Sequence, residues 1–535
     1  MLEWQWTPIG LWQWLGARLK KPIQRGLLLG LILLVMGLGL PATAEAREPV
    51  ASTDTAKTVQ PYLERVAAEI SEFTLDNGMK FIVLERHQAP VVSFMLYANV
   101  GAANEPEGKT GLAHYLEHLA FKGTTRIGTR DYQAEKQVLT RMDQVFAQML
   151  AAEEQGDDTT AQQLQQQLET LKSKAAEYVE QNEYGQIVEQ AGGVGLNATT
   201  GADATRYFYS LPSNKLELWM SLESERFLEP VFREFYEEKE VILEERRMRV
   251  DNSPIGKMVE EFLETSFLEN PYRRPIIGYT EDLYRMTRQD VRQFFDTYYG
   301  PENLIVTVVG DVDPSQVQDL AQVYFGRYQS RATPPPVEFE EPAQTKPREF
   351  ILELASEPWY LEGYHRPAIT HPDHVIYGMI ESLLVDGRTS RLYQTLVEDT
   401  QVSLNAGSLN GFPGDKYDNI LLLYGLTAPG HTPDDVGRQL RRELRRLQQE
   451  SVATAELDRV KTQARARLLR RLDSNSGMAA LLAEYEAKTG SWRNVFEELN
   501  AIEAVTAADV QRVARATFRP NNRTVGRLIT SRDES

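Results

Sequence analysis

The chain repeats itself, and that limits what it can fold into. TRQDV (Thr287–Val291) is followed by Pro301 and Asn303, and TAADV (Thr506–Val510) by Pro520 and Asn522. The internal spacing is identical, and each copy lies where a helix gives way to a strand. HYLEHLAFKGTT, from His114, can likewise be laid on GMIESLLVDGRT, from Gly378, which matches Glu117 with Glu381 and Gly123 with Gly387. A chain of 535 residues is too long for one ordinary hydrophobic core. The repeat therefore predicts two related halves, each mixing helix and strand. His114 and His118 become Gly378 and Ser382 in the second copy, so only the first half can hold a metal.

That first copy carries the chemistry. Two histidines four apart on a helix project from one face, one above the other, and both rings can reach a single cation. Glu117 stands beside the second ring. A catalytic zinc site needs three protein ligands and a water, and a nearby carboxylate can take that water's proton. His114, Glu117 and His118 form the H-x-x-E-H order, the inverse of the commoner H-E-x-x-H. The chain has no cysteine, which excludes disulfides and thiolate ligands, so a third donor must be His, Glu or Asp. The helix EEKEVILEERRMR, Glu237 to Arg249, offers several. Glu238 and Glu245 are seven apart and share a face, while Glu244 points about 100° away. Spacing alone leaves either of the two as ligand, with the other behind it.

The rest of the chain reads as follows. Residues 1–46 carry Arg18, Lys20, Lys21 and Arg25, then an apolar run from Gly26 to Leu40, then small-residue sites ending at Ala44 or Ala46. This is the pattern of a signal peptide, with an uncleaved anchor as the alternative, and it predicts an exported, periplasmic or extracytoplasmic protein. Residues 47–66 read as a polar tether. A catalytic domain is expected over 67–330, opening with strands around the Asn77-Gly78 turn. Within it, apolar residues at helical spacing predict a helical-hairpin insertion over 135–182. Residues 331–347, rich in Pro and Glu, read as a linker, and 348–535 as a second, metal-free domain. The formal charge of −19 argues against nucleic acid as a partner.

HYLEH with its trailing AFKGT, GLNATTGADATRYFY, VILEERRMR, PYRRPIIGY and TYYGPENLIVTVVGD together resemble the family of pitrilysin, insulin-degrading enzyme and the mitochondrial processing peptidase. The likeness runs over nearly all of residues 70–530, in family order. It implies an α+β fold of two homologous αβ-sandwich domains, each an antiparallel sheet covered by helices. It implies a zinc-dependent endopeptidase that hydrolyses peptides in an enclosed chamber, with Glu245 as third ligand and Glu238 as the acidic residue assisting the site. It also implies that peptide is held as an added strand near Asn197 and Ala198.

Two features depart from the family pattern. His118 and Glu245 stand 127 residues apart, longer than usual in the family, and the hairpin accounts for the excess. Val397 and Leu404 occupy the positions where family members carry an Arg and a Tyr that meet substrate. The resemblance therefore implies a dimer, either with a homologous zinc-free subunit bearing that pair or with a second copy. A non-catalytic scaffold of the same fold that binds peptide or partner protein is the alternative, and a metal-dependent hydrolase of another substrate class a third.

Overall fold

Residues 63–531 are described by the structure, a computed structural model. The leader and all but the last four residues of the tether lie outside them. Residues 63–69 are helical, with Leu63 and Val66 buried, so the fold begins within the stretch read as tether. Among the described residues no helix is long and apolar enough to cross a membrane.

The strands are β1 (Ile70–Thr74), β2 (Lys80–Glu85), β3 (Val91–Ala98), β4 (Val194–Thr200), β5 (Thr205–Pro212), β6 (Leu304–Gly310), β7 (Arg348–Leu354), β8 (Trp359–Arg366), β9 (Gly407–Phe412), β10 (Asn419–Leu426) and β11 (Arg523–Thr530). The helices that bear on the site are α1 (Leu112–Leu119), α2 (Tyr132–Glu154), α3 (Asp158–Ala176), α4 (Phe235–Arg246), α5 (Pro254–Ser266), α6 (Arg288–Tyr298), α7 (His374–Val385), α8 (Thr454–Asp473), α9 (Asn475–Thr489) and α10 (Ala507–Thr517).

The expected duplication is a duplication of topology. One sheet runs β1-β2-β6-β3-β5-β4 and the other β7-β11-β8-β10-β9, the same order once β1 is set aside. Each sheet is antiparallel except for one parallel pair, β2 with β6 and β7 with β11, so both are mixed rather than wholly antiparallel. The pair is parallel because the last strand of each half returns through helices to lie beside the first.

The repeated letters now have physical roles. Thr287 and Thr506 each cap a helix, α6 and α10, in a reciprocal box with Asp290 and Asp509. Asn303 donates to the carbonyl of Tyr298 at 2.8 Å, and Asn522 to that of Thr517 at 3.0 Å. Both also reach a carbonyl at the neighbouring strand, Asn99 and His365. Each asparagine thus ties the end of a helix to the sheet it enters.

One repeated element escapes sequence reading. Ser253 caps α5 and Ser474 caps α9, each accepting from a glycine N–H at 3.1 Å. These helices cross over: α5 packs on β7 and β11 of the other half, and α9 on β3 and β6. Strands β3 and β6 are buried almost continuously, as covering on both faces requires. Gly363 of β8 has no room for a Cβ, which would meet the Phe262 ring of α5 at 2.6 Å. On the other side, Thr307 of β6 donates to the carbonyl of Ala479 at 2.9 Å. The reciprocal cover makes residues 63–531 one compact unit.

The stretch read as a helical hairpin over 135–182 holds α2 and α3, which run from Tyr132 to Glu154 and from Asp158 to Ala176. Residues 331–347 contain neither helix nor strand.

Candidate metal centre

Helix α1 presents both histidines where α4 passes across it. The Nε2 atoms of His114 and His118 stand 3.7 and 3.6 Å from the same oxygen of Glu245. Donors held about 2.0–2.1 Å from one tetrahedral zinc lie about 3.4 Å from each other, so these two edges are close to what the ion requires. Among the described residues these three form the metal-competent group, with all donor atoms within 4.8 Å. Of the two carboxylates that spacing left open, Glu245 is the one that faces both Nε2 atoms, while Glu238 lies on the Nδ1 side of His118. Glu244 is exposed and pairs with Arg247 instead.

The surrounding groups orient the donors. Glu238 meets Nδ1 of His118 at 3.0 Å, leaving Nε2 free to face Glu245, and its other oxygen takes the Lys122 ammonium at 2.5 Å. A carboxylate behind a ligating histidine fixes its tautomer and raises its basicity. Arg249 holds the second oxygen of Glu245 at 2.7 Å. His114 is 7% exposed, and its Nδ1 has no hydrogen-bond partner.

Electrostatics favour a cation. Burial lowers the His118 pKa, but the hydrogen bond to Glu238 and the charges of Glu245, Glu238 and Glu117 outweigh it and the net shift is upward. The field that would hold a proton there would hold a dication more strongly, releasing the proton. His114 is pushed well below its ordinary value, by burial first and the His118 ring second, so it is a neutral donor.

Glu117 lies on the adjoining edge of α1. Burial raises its pKa, and a hydrogen bond of 2.5 Å from Thr200 Oγ1 opposes the rise. Thr200 ends β4, the terminal strand of its sheet, which among the described strands pairs only with β5. Asn197 is exposed on this edge, with its side-chain oxygen taking the Ala198 N–H at 2.9 Å, while Ala198 is buried. The structure therefore brings five of the predicted residues, His114, Glu117, His118, Glu238 and Glu245, into one cluster. Asn197 and Ala198 flank it on the strand leading to Thr200.

Several residues escaped sequence reading. Glu105 accepts from the N–H groups of Gly111 and Ala113, both at 2.8 Å, and so seats the start of α1. Burial pushes its carboxyl up to about 8 against those two N–H groups. Thr200, Lys122 and Arg249 were also missed. Lys122 belongs to the AFKGT stretch after α1, but nothing local signals that its ammonium turns back to Glu238.

Known proteins resemble this chain over most of its length. The profile described as insulinase, peptidase family M16, matches residues 80–148 and 164–280, and that of the peptidase M16 inactive domain matches 285–464. The break at 149–163 falls on the tip of the hairpin, as an insertion would. Zinc protease PqqE of Helicobacter pylori is 29% identical over 420 residues, 77% of this chain and 82% of its own. An uncharacterized zinc protease of Mycobacterium leprae is 25% identical, over 84% of this chain and 89% of its own. The crystal structure of a protease from Helicobacter pylori matches with TM-score 0.73 and 26% identity, over 86% of this chain and 99% of that one. The periplasmic protease PqqL of Escherichia coli matches in fold, TM-score 0.64 at 17% identity, with 86% of this chain covering 47% of that one.

Proposed function

This chain belongs to the M16 peptidase family, and from that premise we propose that it is a zinc-dependent endopeptidase acting on peptides or unfolded segments. The observation that carries the reading is the convergence of His114, His118 and Glu245 beside a buried, hydroxyl-held Glu117. When bound there, zinc supplies a Lewis acid that polarises a carbonyl and brings the pKa of a water to about 7. Glu117 removes the proton from that water and passes it to the leaving amine; a carboxyl whose pKa is raised suits both transfers. Thr200, at the end of that strand edge, holds the Glu117 carboxylate in place through its hydroxyl. Glu238 is a positioning residue, acting through His118. Substrate backbone adds to the open edge of β4 near Asn197 and Ala198, with affinity from main-chain hydrogen bonds.

The working enzyme is a dimer that closes a chamber. Val397 is half-buried and Leu404 is 55% exposed, and neither side chain can donate a hydrogen bond to substrate. The Arg/Tyr pair comes from a homologous zinc-free subunit; failing that, a second copy completes the chamber without it. The apolar run at 26–40 and the likeness in fold to the periplasmic protease PqqL support an extracytoplasmic location.

A non-catalytic assembly subunit is the alternative. The match to the inactive-domain profile favours it only over 285–464, where the histidine counterparts are Gly378 and Ser382. The deciding experiment measures zinc content and cleavage of unfolded peptides by the purified protein. About one zinc per chain and cleavage abolished by a chelator are expected. Zinc without cleavage, even after the native partner is captured and added, would favour the scaffold.

A further inference from the structure

Resting on the zinc reading above, we infer that the buried ion pair Arg233–Glu135 positions the two ligand-bearing helices and so sets zinc affinity. It joins the base of the helical hairpin to the loop that leaves α1 and to the start of α4. Arg233 lies two residues before α4 and is 1% exposed. Its guanidinium donates to the carbonyls of Lys122, Thr124 and Ile127, at 2.5, 2.6 and 2.9 Å, all in the loop that leaves α1. Glu135, in the first turn of α2 and wholly buried, receives Nε at 2.8 Å and Nη2 at 3.2 Å. One side chain therefore grips the exit of the histidine helix while standing at the entrance of the carboxylate helix.

Three independent features point to placement rather than mere stability. First, the chain is strained on both sides of Arg233: Phe232 and Glu234 each have φ of 55°, a region a bulky side chain rarely adopts. Such strain persists only where surrounding contacts overdetermine the conformation, and it gathers at functional positions. Second, Gly123 and Gly128 have φ of 92° and 83°, and a Cβ on either would meet the guanidinium at 2.8 Å, so the loop is shaped around Arg233. Third, Lys122, whose carbonyl Arg233 holds, sends its ammonium to Glu238, which fixes His118. A buried ion pair is in general a poor way to add stability, since an apolar pair of similar volume does as well or better. As a rigid multi-armed fixture it has no apolar substitute.

The test uses the full chain. Zinc dissociation constants, from competition with a chromophoric chelator, are compared for wild type, Glu135→Gln and Arg233→Gln, alongside thermal midpoints of the metal-free proteins. Glu135→Gln leaves the three carbonyl contacts of Arg233 in place, so it remains folded if Arg233→Gln does not. Leu444→Ala, a core truncation in the second half, serves as a variant destabilised away from the site. Glu135→Gln is expected to weaken zinc about tenfold or more, the range for groups that orient ligands from behind. Leu444→Ala is expected to lower the midpoint and leave zinc affinity unchanged. Zinc affinity of Glu135→Gln within twofold of wild type, or a loss matched by Leu444→Ala, would overturn the inference. A wild-type chain that binds no zinc would instead sink the reading on which it rests.

Discussion

Glu117 and Glu381 sit at corresponding positions on α1 and α7, and their surroundings match closely. Each accepts a hydrogen bond from a hydroxyl on the terminal strand beside it, Thr200 on β4 at 2.5 Å and Ser408 on β9 at 2.8 Å. Burial raises the pKa of both. What differs is the company they keep. Around Glu117 stand two rings and Glu245. Around Glu381 the counterparts of the rings are Gly378 and Ser382, and a cavity of about 200 Å³ opens there. Arg467 of α8, the helix that follows the order of α4, donates to Ser382 Oγ at 3.4 Å and pairs with Asp386. The second half has kept the scaffolding of the site and put a cation near where the metal would sit. A buried, hydroxyl-held glutamate is thus a property of the fold, and only the donors beside it make it chemistry.

The sharpest test of that distinction pairs Glu117→Gln with Glu381→Gln. The first should keep zinc and lower kcat by about 10²–10⁴-fold, the usual contribution of a positioned acid–base group. The second should leave peptide cleavage near wild type. Comparable losses from both would mean that Glu381 also meets substrate and that the halves are not divided as described.

A second experiment asks whether restoring the rings restores a site. His118→Ala should weaken zinc by two orders of magnitude or more, since a three-ligand centre is reduced to two. Gly378→His with Ser382→His should not create a second centre, because Arg467 occupies the ligand side. Metal analysis of the double variant should still give one zinc per chain; two would show that loss of the histidines alone silenced the second half.

The comparison also shows where sequence reading stops. The H-x-x-E-H run, the hairpin and the repeat were legible because helical period and spacing are local. Narrowing the third ligand to Glu238 or Glu245 was equally local, since residues seven apart share a face. The family resemblance names Glu245, but from the residues themselves choosing between the two needs the crossing of α1 and α4, 120 or more residues apart in sequence. Glu105, Thr200 and the Arg233–Glu135 pair carry no local pattern, because their partners are backbone groups or single distant side chains. The exchange of α5 and α9 was invisible for a related reason. Amphipathic period says that a helix covers a sheet, never which one.

A third contrast is electrostatic. His374 opens α7 where the first half has Thr110, whose hydroxyl donates to Asp282 at 2.6 Å. Burial, and then the Arg366 guanidinium beside it, hold His374 down at about 4. Between pH 6.5 and 4 the unfolded chain binds this proton and the folded chain does not. Stability is therefore lost as pH falls through that window, by about 2 kcal/mol from pH 7.5 to pH 5. Denaturant unfolding of wild type and His374→Gln at both pH values isolates this contribution. The variant should be flatter with pH by that amount, and equal slopes would remove the histidine from the account.

The smallest effect tests the repeat itself. Thr287 and Thr506 cap α6 and α10 with the same geometry, each hydroxyl accepting the N–H of the Asp three residues on, at 3.1 and 3.2 Å. Replacing either with Ala removes one acceptor for a helix-start N–H and should cost about 1 kcal/mol. The sites are not wholly alike: Asp290 is also held by Lys109 at 3.0 Å, whereas Asp509 has Arg512 at 3.5 Å on the surface. The Lys109 contact can keep Asp290 seated on the Thr287 N–H after the hydroxyl is gone. Thr287→Ala should therefore be no more costly than Thr506→Ala, despite lying in the more buried of the two corners. A Thr287→Ala loss exceeding its counterpart by more than 1 kcal/mol would mean that the first cap braces the strand beside the metal centre as well as its own helix.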